Sequence, residues 1–362
     1  MIVDPVTLIV ALITVSTPVL LAAIGELVVE KSGVLNLGVE GMMIMGAVCG
    51  FIVAHESGSP TLAFLAGMAG GAALALIFAV LTQLLMANQV ASGLALTLFG
   101  LGLAALLGVG YPGQPIPDVA KPFPEAMRQI EVIGPILFSH DLLTYVAVAL
   151  VAGVWFMLAR TRAGLVLRAV GESHDAAHAL GYKVVRIRML AILFGGACAG
   201  LGGAFLSVIR VENWIEGMTA GAGWIALALV VFASWKPWRV LLGAWLFGGI
   251  AALQLRLQAA EADIPVSVLP AAVWIILLAF ILISFFKRSI NKWILLLSLP
   301  TICMLIYLQM ILRGSVLPVP VALLSASPYL LTIIVLVLIS SDRTRTALNA
   351  PASLGRIFHA ST

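Results

Sequence analysis

Apolar runs long enough to cross a lipid bilayer recur along almost the whole chain, and they leave few choices of fold. A spanning helix needs about 20 mostly apolar residues. Candidate spans fall near residues 6–24, 38–54, 61–86, 90–110, 141–159, 189–209, 222–235, 239–256, 266–286, 293–312 and 328–341. Two of these, 222–235 and 328–341, are short enough to be half-helices. Of the 362 residues, 62% are hydrophobic and 10% charged, whereas a soluble domain carries about 25% charged residues. No stretch is long and polar enough to form a soluble domain. The expectation is an all-α polytopic membrane bundle of about 9–11 spans, with broken or half helices, as one domain over residues 1–362.

Charge predicts the orientation. Fifteen of the 20 Lys and Arg residues fall in one set of loops, around Lys31, Arg160–Arg188, Lys236–Arg239, Lys287–Lys292 and Arg343–Arg356. Cytoplasmic loops carry such an excess. The N-terminus is therefore expected outside, the C-terminus in the cytoplasm, and the Pro-rich loop 111–140 outside as an ordered cap. The net charge of +4 follows from this bias and gives no reason to expect a nucleic-acid partner. The start, MIVDPVTLIV, has no basic segment before its apolar run, so no cleaved signal peptide is expected. Cys49, Cys198 and Cys303 lie far apart in apolar runs with no metal-ligand spacing, and read as packing residues. Trp214, Trp224, Trp235 and Trp238 read mostly as interfacial anchors.

The stretch GELVVEKS, Gly25–Ser32, is one residue short of a phosphate loop, G-x-x-x-x-G-K-[ST]. Such a loop must follow a strand and open a helix. This one follows an apolar span, and Glu30 sets a carboxylate where backbone N–H groups would face phosphate. The chain is not expected to bind ATP. The stretch continues to Gly41 and interrupts two apolar spans with Glu26, Glu30, Lys31, Asn36 and Glu40. Charge at membrane depth is costly unless paired or facing water. It is either a cytoplasmic loop or a broken helix lining a cavity, and Gly33, Gly38 and Gly41 favour the second.

Four stretches carry a resemblance: GELVVEKSGVLNLGVEGMMIMGA (from Gly25), NQVASGLALTLFGLGLAALLG (Asn88–Gly108), Leu167–Val208 and Asn213–Gly249. Together they resemble permease subunits of ABC importers, in the branched-chain amino acid/ribose permease superfamily and its nucleoside and simple-sugar branch. The resemblance covers about residues 6–265 and the C-terminal stretch SPYLLTIIVLVLIS…NAPASLG, with a family core at 6–265 plus 327–341. It implies a cytoplasmic ATPase subunit, a second permease (homologous or identical), an external substrate-binding protein and the lipid bilayer as partners, in a bacterial plasma (inner) membrane, with no cofactor and no metal. Between D-I-P (Asp263–Pro265) and P-Y-L-L (Pro328–Leu331) lie about 60 residues that the family pattern lacks, and they add a pair of spans at about 266–312.

Two sets of candidate residues follow. Asn36, Glu40, Asn88, Gln89, Ser92 and Thr97 are polar positions in or beside spans. They either hydrogen-bond between helices or line the translocation route, and the resemblance favours the route. The second set is GESHDAAHALGYK. Ser173 can cap a short helix, Asp175 suits its positive end and Gly181 its close. Ala176, Ala177 and Leu180 supply a small apolar patch. The bland reading is a surface helix on the protein's own bundle. The resemblance makes Gly171, Ser173, Asp175, Ala176, Ala177, Leu180 and Gly181 the docking helix for the ATPase. His174 and His178 have i,i+4 spacing but no third ligand nearby. Gly67/Gly71 and Gly196/Gly200 have the small-xxx-small spacing of packed helices.

Two other classes fit less well. An ion-coupled transporter needs coupling carboxylates near mid-membrane, yet Asp and Glu cluster at span ends. A membrane enzyme would show a motif such as H-E-x-x-H or paired intramembrane carboxylates. Among importers of this class, branched-chain amino acids or ribose-like sugars remain alternative cargo.

Overall fold

The computed structural model describes residues 5–259, 264–265, 316–317 and 349–359. Contacts divide the chain into two units, residues 1–252 with 328–362, and residues 253–327. In the second unit the described residues include a short antiparallel pairing, β1 (Ile264–Pro265) with β2 (Val316–Leu317). The candidate spans at 266–286, 293–312 and 328–341 lie outside the described residues.

The first unit is helical. Its elements are α1 (Pro5–Lys31), α2 (Val39–Ser57), α3 (Pro60–Ala79), α4 (Gln89–Leu107), α5 (Glu125–Arg128), α6 (Ile133–Phe138), α7 (Leu142–Arg160), α8 (Arg162–Glu172), α9 (His174–Ala179), α10 (Val184–Phe205), α11 (Ala222–Phe232) and the greater part of α12 (Pro237–Ala259). Among the described residues, seven helices are long and apolar enough to cross a membrane: α1, α2, α3, α4, α7, α10 and α12. The rest of the expected span count falls on residues outside the description. At about 1.5 Å per residue, the 11 residues of α11 reach roughly 16 Å and cannot cross a hydrocarbon core of about 30 Å. Segment 222–235 is thus a half-helix. α3 and α10 each run on into a π-helical turn, Val80–Leu84 and Leu206–Arg210.

α10 is the centre of the core and packs against α1, α2 and α3. Its run from Gly195 to Ala204 is almost all small residues, so backbones can touch. A Cβ on Gly200 would sit 2.9 Å from the Gly71 Cα and against the Gly67 carbonyl, while Gly46 closes on Gly200 from α2. The two small-residue pairs read from the sequence, 67/71 and 196/200, thus meet each other. α4 packs on α2, α7 on α1, and α11 on both α1 and α2. Loop 111–140 is pinned to the far end of this core. Tyr111 Oη donates to Glu56 Oε1 (3.1 Å), and the Gly113 N–H donates to Asn213 Oδ1 (2.8 Å).

Two of the four tryptophans depart from the expectation of interfacial anchors. Trp214 and Trp235 are buried, whereas Trp224 and Trp238 are exposed. The reason at Trp235 is polar: its indole N–H donates to Glu30 Oε2 at 2.6 Å. A buried indole needs such a partner, and a buried carboxylate needs such a donor.

Candidate translocation site and docking surface

The stretch that interrupts the first two spans divides into three parts. Gly25–Lys31 is the last part of α1, so the near-match to a phosphate loop is helix rather than a strand-to-helix turn. Lys31 Nζ donates to the Asn349 carbonyl (2.8 Å). Ser32–Gly38 is irregular backbone, and α2 resumes at Val39. Asn36 is fully buried, and Glu40 is 3% exposed. Irregular backbone at membrane depth is tolerated only inside protein or beside a cavity, and side chains supply the missing bonds. The Asn36 Oδ1 accepts from the Gly38 N–H (2.9 Å) while its Nδ2 donates to Glu26 Oε2 (3.2 Å). Gln89 Oε1 accepts from the Leu35 N–H (2.9 Å), and Thr97 Oγ1 donates to the Leu37 carbonyl (3.0 Å).

Four of the candidate route residues therefore converge. Asn36, Gln89, Thr97 and Glu40 hold or flank one broken segment, and Ser92 lies on the same buried face of α4 as Gln89 and Thr97. Asn88 does not join them. It is exposed and caps α4 by accepting from the Ala91 N–H (3.0 Å).

The Glu40 carboxylate joins two broken elements. Oε1 accepts from Thr219 Oγ1 and Oε2 from the Gly223 N–H, both at 2.7 Å. These two partners satisfy it. Gly223 lies in the first turn of α11, and Glu40 itself lies in the first turn of α2. The positive ends of two helices thus meet at one buried carboxylate, the arrangement that favours an anion. Gly223 must lack a side chain here, because a Cβ would come within 2.6 Å of the Glu40 Cα. One turn below the broken segment, Glu26 and Glu30 are both buried on α1, and Glu26 Oε1 has no hydrogen-bond partner among the described residues.

The candidate docking loop, residues 171–183, folds as its spacing predicts. Ser173 Oγ accepts from the Ala176 N–H (3.3 Å) at the start of α9, and Gly181, at φ +86°, closes it. Its faces are divided differently from the expected patch. Ala176 and Leu180, four residues apart, are exposed, but Ala177 turns inward with His174. At about 100° per residue, 174 and 177 lie within about 60° of each other, while 176 is turned about 100–160° away from them. Ala177 packs with Val170, Val184 and Phe358. Gly171 is buried against the Lys31 carbonyl.

Phe358 belongs to a segment whose role the sequence did not suggest. Residues 349–359 run across the base of the site as a strap. The Ser353 N–H donates to the Gly171 carbonyl (2.9 Å) and the Gly355 N–H to the Gly33 carbonyl (3.1 Å). Gln89 Nε2 and Arg188 Nη1 both donate to the Arg356 carbonyl, at 3.4 and 3.2 Å. The fully buried Arg188 also donates from Nε to the Ser32 carbonyl (3.2 Å) and from Nη2 to His174 Nδ1 (3.3 Å). One guanidinium thus ties the broken segment, the docking loop and the strap together. The imidazoles of His174 and His178 each meet the Phe358 ring edge-on, at 5.4 and 5.3 Å.

Burial, and then the Arg188 charge, hold the His174 pKa below its ordinary value, while Asp175 opposes them weakly. The imidazole is neutral, with Nδ1 accepting. The unfolded loop binds its proton near pH 6.5, and the folded loop only lower. Stability from this residue is complete above about pH 6.5 and is lost as pH falls from there towards the folded value. Hydrogen exchange over residues 171–182 is expected to quicken between pH 7 and 5.5, after correction for intrinsic rates. The His174→Asn variant, which keeps an acceptor but cannot titrate, should lose that excess. Equal acid sensitivity in both proteins would refute this.

Glu26, Trp235 and Arg188 were read from the sequence only as a charge in the broken stretch, an interfacial anchor and a loop charge, and Thr219, Gly223 and the role of the strap were not singled out. The T-A-G-A-G run at 219–223, just before a short apolar segment, is the one local signal of a helix start that a partner must cap.

Comparison with known proteins agrees with this architecture. The family model described as branched-chain amino acid transport system / permease component matches residues 8–286. The putative glucose ABC transporter permease TsgC13 of Haloferax volcanii is 45% identical over 252 residues, covering 68% of this chain and 77% of its own. The guanosine ABC transporter permease NupQ of Bacillus subtilis is 35% identical, with 67% and 79% covered. The nucleoside ABC transporter permease NupC of Lactococcus lactis is 33% identical, with 64% and 77% covered. No solved structure matches significantly. The chain works with an ATPase and a substrate-binding protein rather than hydrolysing ATP itself, and it belongs to the branched-chain amino acid transport system / permease component family as a multi-pass inner-membrane permease subunit of an ABC importer.

Proposed function

We propose that the chain carries a nucleoside or a simple sugar. The observation that carries this reading is the run of relatives named for glucose, guanosine and nucleosides, at 45%, 35% and 33% identity. The chemistry of the broken segment supports it. Gln89, Ser92, Thr97 and Asn36 are neutral, and of the two carboxylates beside them Glu40 is engaged by two donors and Glu26 by the Asn36 amide. A route past such groups suits a neutral polar cargo better than a zwitterionic amino acid, whose charges would each need a counter-charge in low dielectric. The route passes Asn36, Glu40, Gln89, Ser92 and Thr97, with Asn88 at its rim.

The exposed face of α9, with Ala176, Leu180 and Asp175, takes the ATPase, and Gly171, Ser173, Ala177 and Gly181 shape it. The chain pairs with a second permease, identical or homologous. Its N-terminus is outside, and Lys31, the docking loop, Lys236 and the strap are cytoplasmic. Residues 6–265 and 327–341 are taken as the family core, and 266–312 as an added pair of spans. The deciding experiment is uptake into proteoliposomes of the complete transporter with its binding protein. Labelled nucleosides and glucose should enter with ATP inside the cell-facing compartment. Uptake of leucine but of neither nucleoside nor sugar would overturn the assignment.

A further inference from the structure

A cavity of ≈ 490 Å³ opens where α1, α7 and α8 meet the turn between α11 and α12, and its lining is basic and aromatic. Lys31, Arg168, Lys236 and Arg239 supply four cations, and Trp155, Trp235 and Trp238 three indoles. No Asp or Glu lines it. Among the described residues none of the four cations makes an ion pair. Lys31 gives one hydrogen bond to the Asn349 carbonyl and Arg168 one to the Gly164 carbonyl, so most of their donors are uncommitted. Trp155 and Trp238 are exposed, with ring centroids 6.3 Å apart, whereas Trp235 is buried and bonded to Glu30.

The position matters as much as the composition. Trp155 lies five residues before the end of α7, and Trp238 lies in the first turn of α12. Both belong to helices long enough to cross the membrane, near the ends where amphipathic rings meet the headgroup layer. Basic pockets between helices at that level hold anionic headgroups. Glu172 and Glu30 act on Lys31 from outside the cavity, but the cations that line it repel one another unless an anion joins them.

We propose that this cavity binds the phosphate of an anionic phospholipid, with the two exposed indoles beside its glycerol and upper acyl region. The site rests on the cytoplasmic placement proposed above. It reaches the working parts of the permease directly. Lys31 is bonded to the strap, and Trp235 is bonded to Glu30 beneath the broken segment. A bound headgroup therefore bears on the junction of broken segment, strap and docking loop.

The test uses the complete transporter in nanodiscs and native mass spectrometry, with phosphatidylglycerol, phosphatidylcholine and inorganic phosphate as probes. Wild type should retain phosphatidylglycerol in preference to phosphatidylcholine, and millimolar phosphate should not displace it. The double variant Lys236→Gln/Arg239→Gln alters only exposed side chains. It should hold the lipid roughly thirtyfold more weakly, since each cation near an anionic surface contributes about a factor of five. Trp238→Ala should also weaken retention. Three results would overturn the proposal: equal retention of the two lipids, retention unchanged in the double variant, or displacement by free phosphate. Loss of the ATPase from the double variant, with lipid retention intact, would assign this face to the ATPase instead. Labelling of a cysteine at position 236 from each side of the membrane checks the orientation separately.

Discussion

Replacing Glu40 by leucine is expected to abolish uptake while leaving protein in the membrane. The carboxylate is the common acceptor for Thr219 Oγ1 and the Gly223 N–H, and both are buried. Leucine fills the space but accepts nothing. Each orphaned buried donor costs about 1–3 kcal/mol, and the attraction between the carboxylate and the positive ends of α2 and α11 is lost as well. The seam between the two elements should open, and uptake should fall by more than about tenfold on these costs. Glu40→Gln keeps one acceptor and turns an N–H₂ towards the other donor, so it should restore only part of the activity. Thr219→Val removes one donor and leaves the bond to Gly223, so it should be milder than Glu40→Leu. Uptake normalised to membrane protein decides the matter. Wild-type transport by Glu40→Leu would show that the carboxylate does not hold the junction.

Removal of residues 349–362 is expected to uncouple the permease from its ATPase. The deletion strips Phe358 from the inner face of α9, a burial of about 1.5–3 kcal/mol. It leaves Arg188 and Gln89 without the Arg356 carbonyl, and the Gly33 and Gly171 carbonyls without their donors. Each such bond contributes about 1 kcal/mol. The spans themselves are not touched, so insertion should survive. Co-purification of the ATPase and ATP-driven uptake should both drop by about tenfold or more on this sum. Phe358→Leu should retain most of the function and Phe358→Ala little. A shortened chain that still couples at the wild-type rate would reduce the strap to a bystander.

Much of this architecture was legible because membrane spans are written in composition. All eight candidate spans that fall on described residues have a helix, and the docking helix was bounded by its own cap at Ser173 and its own glycine at 181. Local rules sufficed there, since cap and capped N–H lie three residues apart. The partners of the buried polar groups were not legible. Glu40 was read as a residue that bonds between helices or lines the route, but its donors lie about 180 positions away, on a segment with no polar pattern beyond T-A-G-A-G. Arg188 was counted with the loop charges that set orientation, yet it is fully buried. No periodicity distinguishes a cation that faces water from one that three carbonyl and imidazole acceptors enclose. Asn88 and Gln89 show the same limit at single-residue scale, since adjacent positions at a helix start point to opposite surroundings.

The strap also has a consequence for the order of events during synthesis. Residues 349–359 follow every described span in the chain, so the ribosome delivers them after those helices have entered the membrane. Until then the inner face of α9 has no Phe358 against it, and Arg188 has no acceptor at residue 356. Until the strap is made, the face of α9 proposed for the ATPase is therefore unfinished. On the docking role proposed for α9, recruitment of the ATPase is expected to wait until the helices behind it are in place, and a prematurely terminated chain is expected not to hold ATPase in a complex unable to transport.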